Sequence, residues 1–258
     1  MIRMSAIAAT LAACLATTSL STLPAMAQTA PATEQEREAF GAAVRAYLME
    51  HPEVIFEAVG EYERRQEAQQ AEMDLALVEI NADDIFDDGH SWIGGNPEGD
   101  ITLVEFMDYR CGYCRRAQPA VSELIASDGN IRLIVKEFPI LGPQSEIMSR
   151  FAVAVQQVGG DEPYAEIHEA LMSWEGDVTP EDLRAMAEDL GLDATEIMAA
   201  MNGDDVTRIL QANHALAERL RITGTPTFVM GAEAGATELL RGYLPLDAMQ
   251  ASVAELRG

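Results

Sequence analysis

The sequence predicts an α/β fold with an inserted helical domain and an N-terminal helical arm. Three stretches indicate this class: a strand–helix–strand pattern over residues 101–138, helical apolar spacing over 143–220, and two helical stretches over 34–80. The chain has 258 residues, of which 48% are hydrophobic, so one or two domains with a buried core are expected.

The charge of the chain narrows the range of partners. Lysine and arginine total 17 against 43 aspartate and glutamate residues, which gives a formal net charge of -26. Nucleic acids and anionic lipid surfaces both attract clustered cations, so neither is an expected partner.

Residues 1–27 have the layout of a cleaved signal peptide. Arg3 precedes a charge-free apolar run that leads to the small-residue cleavage site Ala25-Met26-Ala27. This segment predicts export to the periplasm of a Gram-negative cell, where disulfides can form. A lipoprotein signal at Cys14 is the competing interpretation.

Residues 28–80 form the predicted N-terminal arm. Thr33 is a candidate helix N-cap, and His51-Pro52 separates a first helix from a second one that extends as far as Ile80. Two interpretations stay open: the arm is an oligomerisation segment, or its second helix lies on the body of the protein and frays at its polar end.

After the arm, a main domain is expected over the rest of the chain, to residue 258. Residues 81–99 are acidic and glycine-rich, which predicts a linker that runs into an edge strand near Ser91–Ile93. A strand over 101–107, a helix over 111–126 and a strand over 131–138 then predict a βαβ unit with parallel strands.

The helical insertion is expected over about residues 143–220. Thr179-Pro180 begins one of its helices, with a capping side chain followed by proline at the first helical position. Strands over 227–230 and 238–241 and a helix over 246–256 are predicted to complete the domain.

Cys111 and Cys114 lie two residues apart, where the first strand of the βαβ unit gives way to a helix. The unpaired N–H groups and the positive dipole end of a helix N-terminus favour a thiolate, which should lower the pKa of Cys111. Arg110, Arg115 and Arg116 are expected to add to this effect. Because a thiolate is the nucleophile in thiol–disulfide exchange, the motif predicts that Cys111 attacks and that Cys114 resolves the mixed disulfide.

Other functions for the cysteine pair are weaker interpretations. No metal site is predicted, because zinc needs two further ligands and the histidines are scattered, at His51, His90, His168 and His214. A structural disulfide that closes a two-residue loop gains little entropy. Copper(I) capture by two thiolates fits soft-ligand chemistry and stays open as an alternative.

A second motif, Gly224-Thr225-Pro226, leads into the predicted strand at 227–230. Its proline is either cis, in a tight turn, or an ordinary trans proline at the start of a strand.

From about residue 96 to residue 256 the chain resembles the DsbA family of thioredoxin-fold proteins. The resemblance rests on residues 104–114, which end in Cys-Gly-Tyr-Cys, on Lys136-Glu137-Phe138-Pro139-Ile140, on the helical insertion and on residues 224–228. Residues 47–53 are also similar to the leader of a secreted subgroup near the Com1 and ScsC proteins.

The resemblance implies a thioredoxin-like fold and a thiol:disulfide oxidoreductase that needs no cofactor. It also implies a substrate-binding surface. Thr225 and Pro226 would pair through their backbone with a substrate strand beside the Cys111 sulfur, and Gly112 and Tyr113 would border the same surface.

Glu105 lies six residues before Cys111, where relatives carry a buried acid. The resemblance implies that it moves a proton to or from Cys114, and a half-exposed strand carboxylate is the alternative of equal weight. The chain departs from the strongest oxidants of the family, which have Pro-His between the cysteines and often Val where this chain has Thr225. Both departures argue against strong oxidising power.

The implied substrates are unfolded or misoxidised exported polypeptides. An oxidase would be a monomer recharged by a DsbB-like membrane partner, whereas an isomerase would be a homo-oligomer kept reduced by a DsbD-like membrane partner. Two competing classes are a non-catalytic chaperone or copper(I)-binding protein that uses the same cysteines, and a structural protein with an inert disulfide.

Overall fold

The computed structural model describes residues 33–258. The predicted signal peptide and Cys14 therefore lie outside the described residues. The described chain divides between Glu61 and Tyr62 into two units.

The first unit is helical. Helix α1 (Glu34–Glu50) begins at Thr33, whose hydroxyl accepts a hydrogen bond from the Glu36 N–H at 3.2 Å, while the Glu36 carboxylate accepts one from the Thr33 N–H at 3.0 Å. This reciprocal cap confirms the predicted N-terminus of the helix. Helix α2 (Glu53–Ile80) begins after Pro52, as predicted, and continues into the second unit.

Large apolar side chains of these two helices are exposed. Helix α1 buries no residue, and α2 buries only Asp74 and Val78. The large apolar side chains that are exposed in the first unit are Phe40, Val44, Tyr47, Met49, Ile55, Phe56 and Val59. Oligomerisation through this arm stays a prediction.

The linker predicted over residues 81–99 contains a short helix that the sequence did not predict. Helix α3 (Ala82–Phe86) buries Ile85 and is followed by the edge strand β1 (Trp92–Gly95). One buried isoleucine among aspartates produces no helical apolar period, which explains why the acidic composition pointed to a linker.

Five strands form one sheet in the order β1–β3–β2–β4–β5. Strands β2 (Ile101–Met107) and β3 (Ile131–Glu137) are parallel and are joined by helix α4 (Gly112–Asp128), which confirms the predicted βαβ unit. Strand β4 (Thr227–Ala232) pairs antiparallel with β2, and β5 (Thr237–Arg241) pairs antiparallel with β4. At the other edge, β1 pairs antiparallel with β3.

Five helices fill the stretch in which the sequence predicts a helical insertion. They are α5 (Pro143–Gly159), α6 (Asp161–Ser173), α7 (Pro180–Asp189), α8 (Ala194–Ala200) and α9 (Asp204–Arg219). Helix α10 (Leu246–Arg257) follows β5. Between residues 33 and 258, no helix combines the length and the apolar character needed to cross a membrane.

Helices cover both faces of the sheet, so β2 and β3 are buried along most of their length. Alternate side chains of β2 enter opposite cores: Leu103 packs in one, and Val104 and Phe106 pack in the other. The core that contains Leu103 also contains Cys111 and Cys114. The two thiols therefore belong to the packed interior on one side of the sheet.

Candidate active site

The site begins where β2 ends, at the buried residue Asp108. Its carboxylate accepts hydrogen bonds from the backbone N–H groups of Arg110 at 2.7 Å, Ile140 at 2.8 Å and Leu141 at 3.0 Å. The Cys111 N–H donates to the Asp108 backbone carbonyl at 3.0 Å. Asp108 thus ties the cysteine loop to the loop after β3. No sequence pattern marks this function of Asp108, because two of the donors are backbone groups more than 30 residues away.

Cys111 is the N-cap residue of α4, and Cys114 lies in the first turn of that helix. Both are free thiols, Cys111 being 6% exposed and Cys114 fully buried. The Cys111 thiol donates to the backbone carbonyl of Thr225, with Sγ and O 3.1 Å apart. The Thr225–Pro226 peptide bond is cis, which confirms that interpretation over the trans one. The two sequence motifs therefore meet at Cys111.

The two thiols differ in acidity. The pKa of Cys111 is lowered to about 5, chiefly because the Cys114 thiol hydrogen-bonds to its sulfur. Hydrogen bonding by the Thr225 side chain and by the backbone of Cys114 and Tyr113 lowers it further, while burial opposes these effects. The pKa of Cys114 is raised well above its usual range by the hydrogen bond with Cys111, by burial and by the nearby charge of Glu105. At neutral pH Cys111 is therefore mainly a thiolate, which no longer donates to the Thr225 carbonyl, and Cys114 is a thiol.

Glu105 points from β2 into the same core and is 1% exposed. Its Oε1 atom has no hydrogen-bond partner among residues 33–258. Burial, and after it the negative charge of Cys111, raise the pKa of Glu105 to about 8. The half-exposed alternative for this residue is therefore wrong, and its role in proton transfer stays a prediction.

Comparison with known proteins identifies the family. A family model described as a DSBA-like thioredoxin domain matches residues 102–254, more than half of the chain. The chain belongs to the DsbA-like thioredoxin family. Membership supports thiol–disulfide exchange as the general chemistry of this DsbA-like protein and confirms the thioredoxin-like fold. A second model, for the N-terminal domain of the copper resistance protein ScsC, matches residues 36–69, which confirms the ScsC-like leader.

Two solved structures illustrate the relationship. A thioredoxin-like oxidoreductase from Silicibacter pomeroyi is 38% identical, with a TM-score of 0.61, and the match covers 69% of this chain and 98% of that one. BcfH from Salmonella enterica Typhimurium is 27% identical, with a TM-score of 0.72, and the match covers 87% of this chain and 97% of that one. The second match therefore extends over most of this DsbA-like chain.

Curated relatives match over a shorter part of the chain. The Na(+)/H(+) antiporter NhaA 1 of Salinispora arenicola is 33% identical over 141 residues, which are 53% of this chain and 21% of the antiporter. The DsbA-like chain thus spans about a fifth of the length of the curated relatives it matches.

The three arginines beside the cysteines of this DsbA-like domain bind other groups. Arg110 pairs with Asp177 at 3.3 Å, Arg115 donates to a backbone carbonyl at 2.7 Å, and Arg116 lies over a tyrosine ring. Hydrogen bonds are the largest causes of the low pKa of Cys111, and the added effect expected of the arginines stays a prediction.

A second buried carboxylate, for which the sequence predicts no function, lies at the end of β3. Glu137 accepts hydrogen bonds from the hydroxyls of Tyr109, Tyr164 and Ser149, each at 2.7 Å. Burial raises its pKa to about 7, although the three hydroxyls act in the opposite direction. His168 lies 3.2 Å from the Tyr109 hydroxyl, and burial lowers the pKa of this histidine to about 4. The network joins the loop before Cys111 to helices α5 and α6.

The predicted substrate-binding residues border the Cys111 thiol from two sides. Gly112 and Tyr113 are exposed at the start of α4, with Tyr113 57% exposed. Thr225 and Pro226 form the opposite side through their backbone carbonyls. The first accepts from Cys111, and the second accepts from the Gly242 N–H at 2.9 Å. Their function in substrate binding stays a prediction.

Proposed function

We propose that this chain is a periplasmic thiol–disulfide oxidoreductase that forms, reduces or isomerises disulfides in exported polypeptides through Cys111 and Cys114. One observation carries the proposal: the pair combines a low-pKa thiol that is 6% exposed with a fully buried, protonated one. A nucleophile must be ionised and reachable, whereas a resolving thiol must wait until the mixed disulfide has formed.

In the reducing direction, the Cys111 thiolate attacks one sulfur of a substrate disulfide. A bond forms between the Cys111 sulfur and that atom, the substrate S–S bond breaks, and the other substrate sulfur leaves as a thiolate. Cys114 then loses its proton and attacks the Cys111 sulfur. The protein disulfide forms, the second substrate thiolate leaves, and two electrons have passed from the protein to the substrate.

Glu105 is the proposed acceptor of the Cys114 proton. In the mixed disulfide the Cys111 sulfur carries no negative charge, so one of the two causes of the raised Glu105 pKa is removed. The carboxyl then ionises more readily, at the moment when a base is needed. Its unpartnered Oε1 atom is free to accept the proton.

The oxidising direction uses the same steps in reverse. A substrate thiolate attacks the Cys111–Cys114 disulfide, and the protein is left reduced when the substrate disulfide has formed. We propose unfolded or misoxidised exported polypeptides as substrates in both directions, bound by backbone pairing with Thr225 and Pro226. A DsbB-like membrane partner would recharge an oxidase, and a DsbD-like one would keep an isomerase reduced.

The periplasmic location is proposed from the signal-peptide layout of residues 1–27. Lipidation at Cys14 is the alternative, and it would tether the same domain to a membrane. Both routes place the cysteine pair in a compartment that permits disulfides.

The arm favours a homo-oligomer as part of this proposal. Its exposed aromatic side chains include Phe56, which is 77% exposed, and Phe40 and Tyr47, which are more than half exposed. Exposed apolar faces of this kind are typical of association surfaces. Linked active sites would hold a misoxidised substrate at high effective concentration, which suits isomerisation.

Insulin reduction by the purified protein tests the proposed chemistry. We expect the wild type to reduce insulin, Cys111→Ser to be inactive, and Cys114→Ser to accumulate a mixed disulfide. The rate of Cys111 alkylation should reach half its maximum near pH 5, following the lowered pKa. An inactive wild type, or an alkylation midpoint near pH 9, would exclude the enzyme.

Two further measurements separate the alternatives. Acid quenching of cells followed by maleimide labelling reports the redox state: a mainly oxidised pair supports an oxidase, and a mainly reduced pair supports an isomerase or reductase. Copper(I) binding without insulin reduction would favour a binding protein. Between residues 33 and 258 no group of three or more His, Cys, Asp or Glu side chains is arranged to hold a metal, so copper(I) would rely on the two thiols.

A further inference from the structure

Arg116 lies over two tyrosine rings, and this cluster of three side chains is near the Cys111 thiol. The guanidinium carbon of Arg116 lies 5.2 Å from the centre of the Tyr113 ring and 5.9 Å from the centre of the Tyr243 ring. Tyr113 belongs to the first turn of α4, and Tyr243 belongs to the loop between β5 and α10. Arg116 therefore joins two elements that are far apart in the sequence.

A chain of contacts shows that this cluster borders the same surface as the nucleophile. The Cys111 thiol touches the Thr225 carbonyl at 3.1 Å, and the next carbonyl, of Pro226, accepts the Gly242 N–H at 2.9 Å. Tyr243 is the residue that follows. The rim thus runs from the thiol along the cis-proline loop to Tyr243, and from there through Arg116 back to the first turn of α4.

No ion-pair partner among residues 33–258 neutralises the charge of Arg116. The neighbouring Arg110 is paired with Asp177, and Arg115 donates to the Tyr109 carbonyl. Arg116 is exposed, and within residues 33–258 it makes neither a hydrogen bond nor an ion pair. Its exposed guanidinium therefore keeps its N–H donors available while its charge interacts with the two rings.

A guanidinium in this state is suited to one kind of ligand. Its planar fork of donors matches a carboxylate, to which it can donate two parallel hydrogen bonds. Stacking on the rings reduces the rotamer freedom that a long side chain must lose on binding. The chain as a whole has a net charge of -26, so it repels acidic polypeptides at long range. The positive charge of Arg116 near the thiol would instead attract a substrate carboxylate that lies close to the reacting cysteine.

We propose that Arg116, held between Tyr113 and Tyr243, is a specificity residue that selects polypeptides with an aspartate or glutamate within about two residues of the reacting cysteine. This inference rests on the proposed thiol–disulfide exchange and deepens it by naming a substrate class. The role differs from that of the cysteines, because Arg116 acts on recognition and takes no part in the transfer of electrons.

Peptide disulfides that differ at one position test the proposal. Each peptide carries one cysteine in a mixed disulfide with 2-mercaptoethanol, followed two residues later by Glu, Gln or Lys. Single-turnover rates are measured with the reduced wild type, with Arg116→Gln and with Arg184→Gln, which removes an exposed arginine of α7. Hydroxyethyl disulfide serves as an uncharged substrate that has no peptide to recognise.

We expect the wild type to react about three-fold faster with the Glu peptide than with the Gln peptide, the effect of one exposed ion pair. This preference should vanish in Arg116→Gln, persist in Arg184→Gln, and fall at 1 M salt. Equal rates for the three peptides in the wild type would overturn the proposal. So would an Arg116→Gln variant that slows all substrates alike, since the stack would then only hold the loop. Failure of every protein to reduce hydroxyethyl disulfide would instead reject the proposed exchange activity.

Discussion

Two glutamates are buried in neighbouring parallel strands, and they differ in their surroundings. Glu105 of β2 pairs with Val135 of β3, and Glu137 lies two residues after Val135 on the same strand. Because side chains two residues apart share a face of the sheet, Glu105 and Glu137 point to the same face. Glu137 has three hydroxyl donors on its carboxylate, whereas one oxygen of Glu105 has no partner among the described residues. Burial raises both pKa values, to about 8 for Glu105 and about 7 for Glu137.

The difference separates a structural function from a chemical one. Buried polar groups are nearly always hydrogen-bonded, because an unpartnered one destabilises the fold. Glu137 obeys this rule and connects β3 to α5 and α6. Glu105 breaks it at one oxygen beside Cys111 and Cys114, where a buried carboxyl with a raised pKa can exchange a proton. Departures from local rules of folding concentrate at functional sites, and Glu105 is such a departure.

The largest expected effect is the loss of stability in Glu137→Ala. The substitution leaves three buried hydroxyls without their acceptor and creates a cavity, so we expect the free energy of unfolding to fall by about 4 kcal/mol. Urea unfolding of the reduced protein measures this change. Glu137→Gln keeps one acceptor oxygen and should fall between the wild type and the alanine variant. A loss below about 1 kcal/mol in Glu137→Ala would show that the network does not hold the insertion.

Glu105→Gln should increase the free energy of unfolding relative to the wild type, and the increase should grow as the pH rises. The folded-state pKa is raised from 4.5 to about 8, so the folded protein holds more protons than the unfolded one in this range. The free energy of unfolding therefore falls as the pH rises from about 4.5 to about 8, and the glutamine variant lacks this fall. Between pH 5 and pH 8 the variant should gain about 3 kcal/mol relative to the wild type.

Unfolding curves of the reduced proteins at several pH values give this difference. Any cost of burying the glutamine amide is the same at each pH, so the change with pH reports the carboxyl alone. A difference that does not vary with pH would mean that Glu105 is ionised in the folded protein at all of these values. It would then be unsuited to the proposed proton transfer.

The parts of the fold that follow from local pattern were predictable. The apolar runs of β2 and β3 and the helix between them are visible in the sequence, and so is the cysteine pair at the start of α4. The meeting of Thr225 with Cys111 came from the family resemblance, since the two residues are 114 positions apart. A glutamate in an apolar strand fits both a buried acid and a half-exposed one, so the burial of Glu105 could not be decided from sequence.

The Glu137 network was not predictable for a different reason. Its hydroxyl donors lie 12, 27 and 28 positions away in the chain, on a loop and two helices. No periodicity links such residues, and only the packing of α5 and α6 against the sheet brings them together. The same holds for the cluster of Arg116 with Tyr113 and Tyr243, since Tyr243 follows β5 and is 127 positions from Arg116 in the chain.

The smallest expected effect comes from a matched pair of serines on α5. Ser149 and Ser145 are both fully buried and lie four residues apart, but Ser149 donates to Glu137 while the Ser145 hydroxyl has no partner in the described part of the chain. Each substitution removes one buried hydroxyl from the same helix, so their difference reports chiefly what the hydrogen bond to Glu137 adds over an unpartnered hydroxyl. We expect Ser149→Ala to lower the free energy of unfolding by about 1 kcal/mol relative to Ser145→Ala.

In a Glu137→Ala background the two variants should become equal, because Ser149 has then already lost its acceptor. A difference that survives in that background would show that Ser149 is held by packing rather than by the carboxylate.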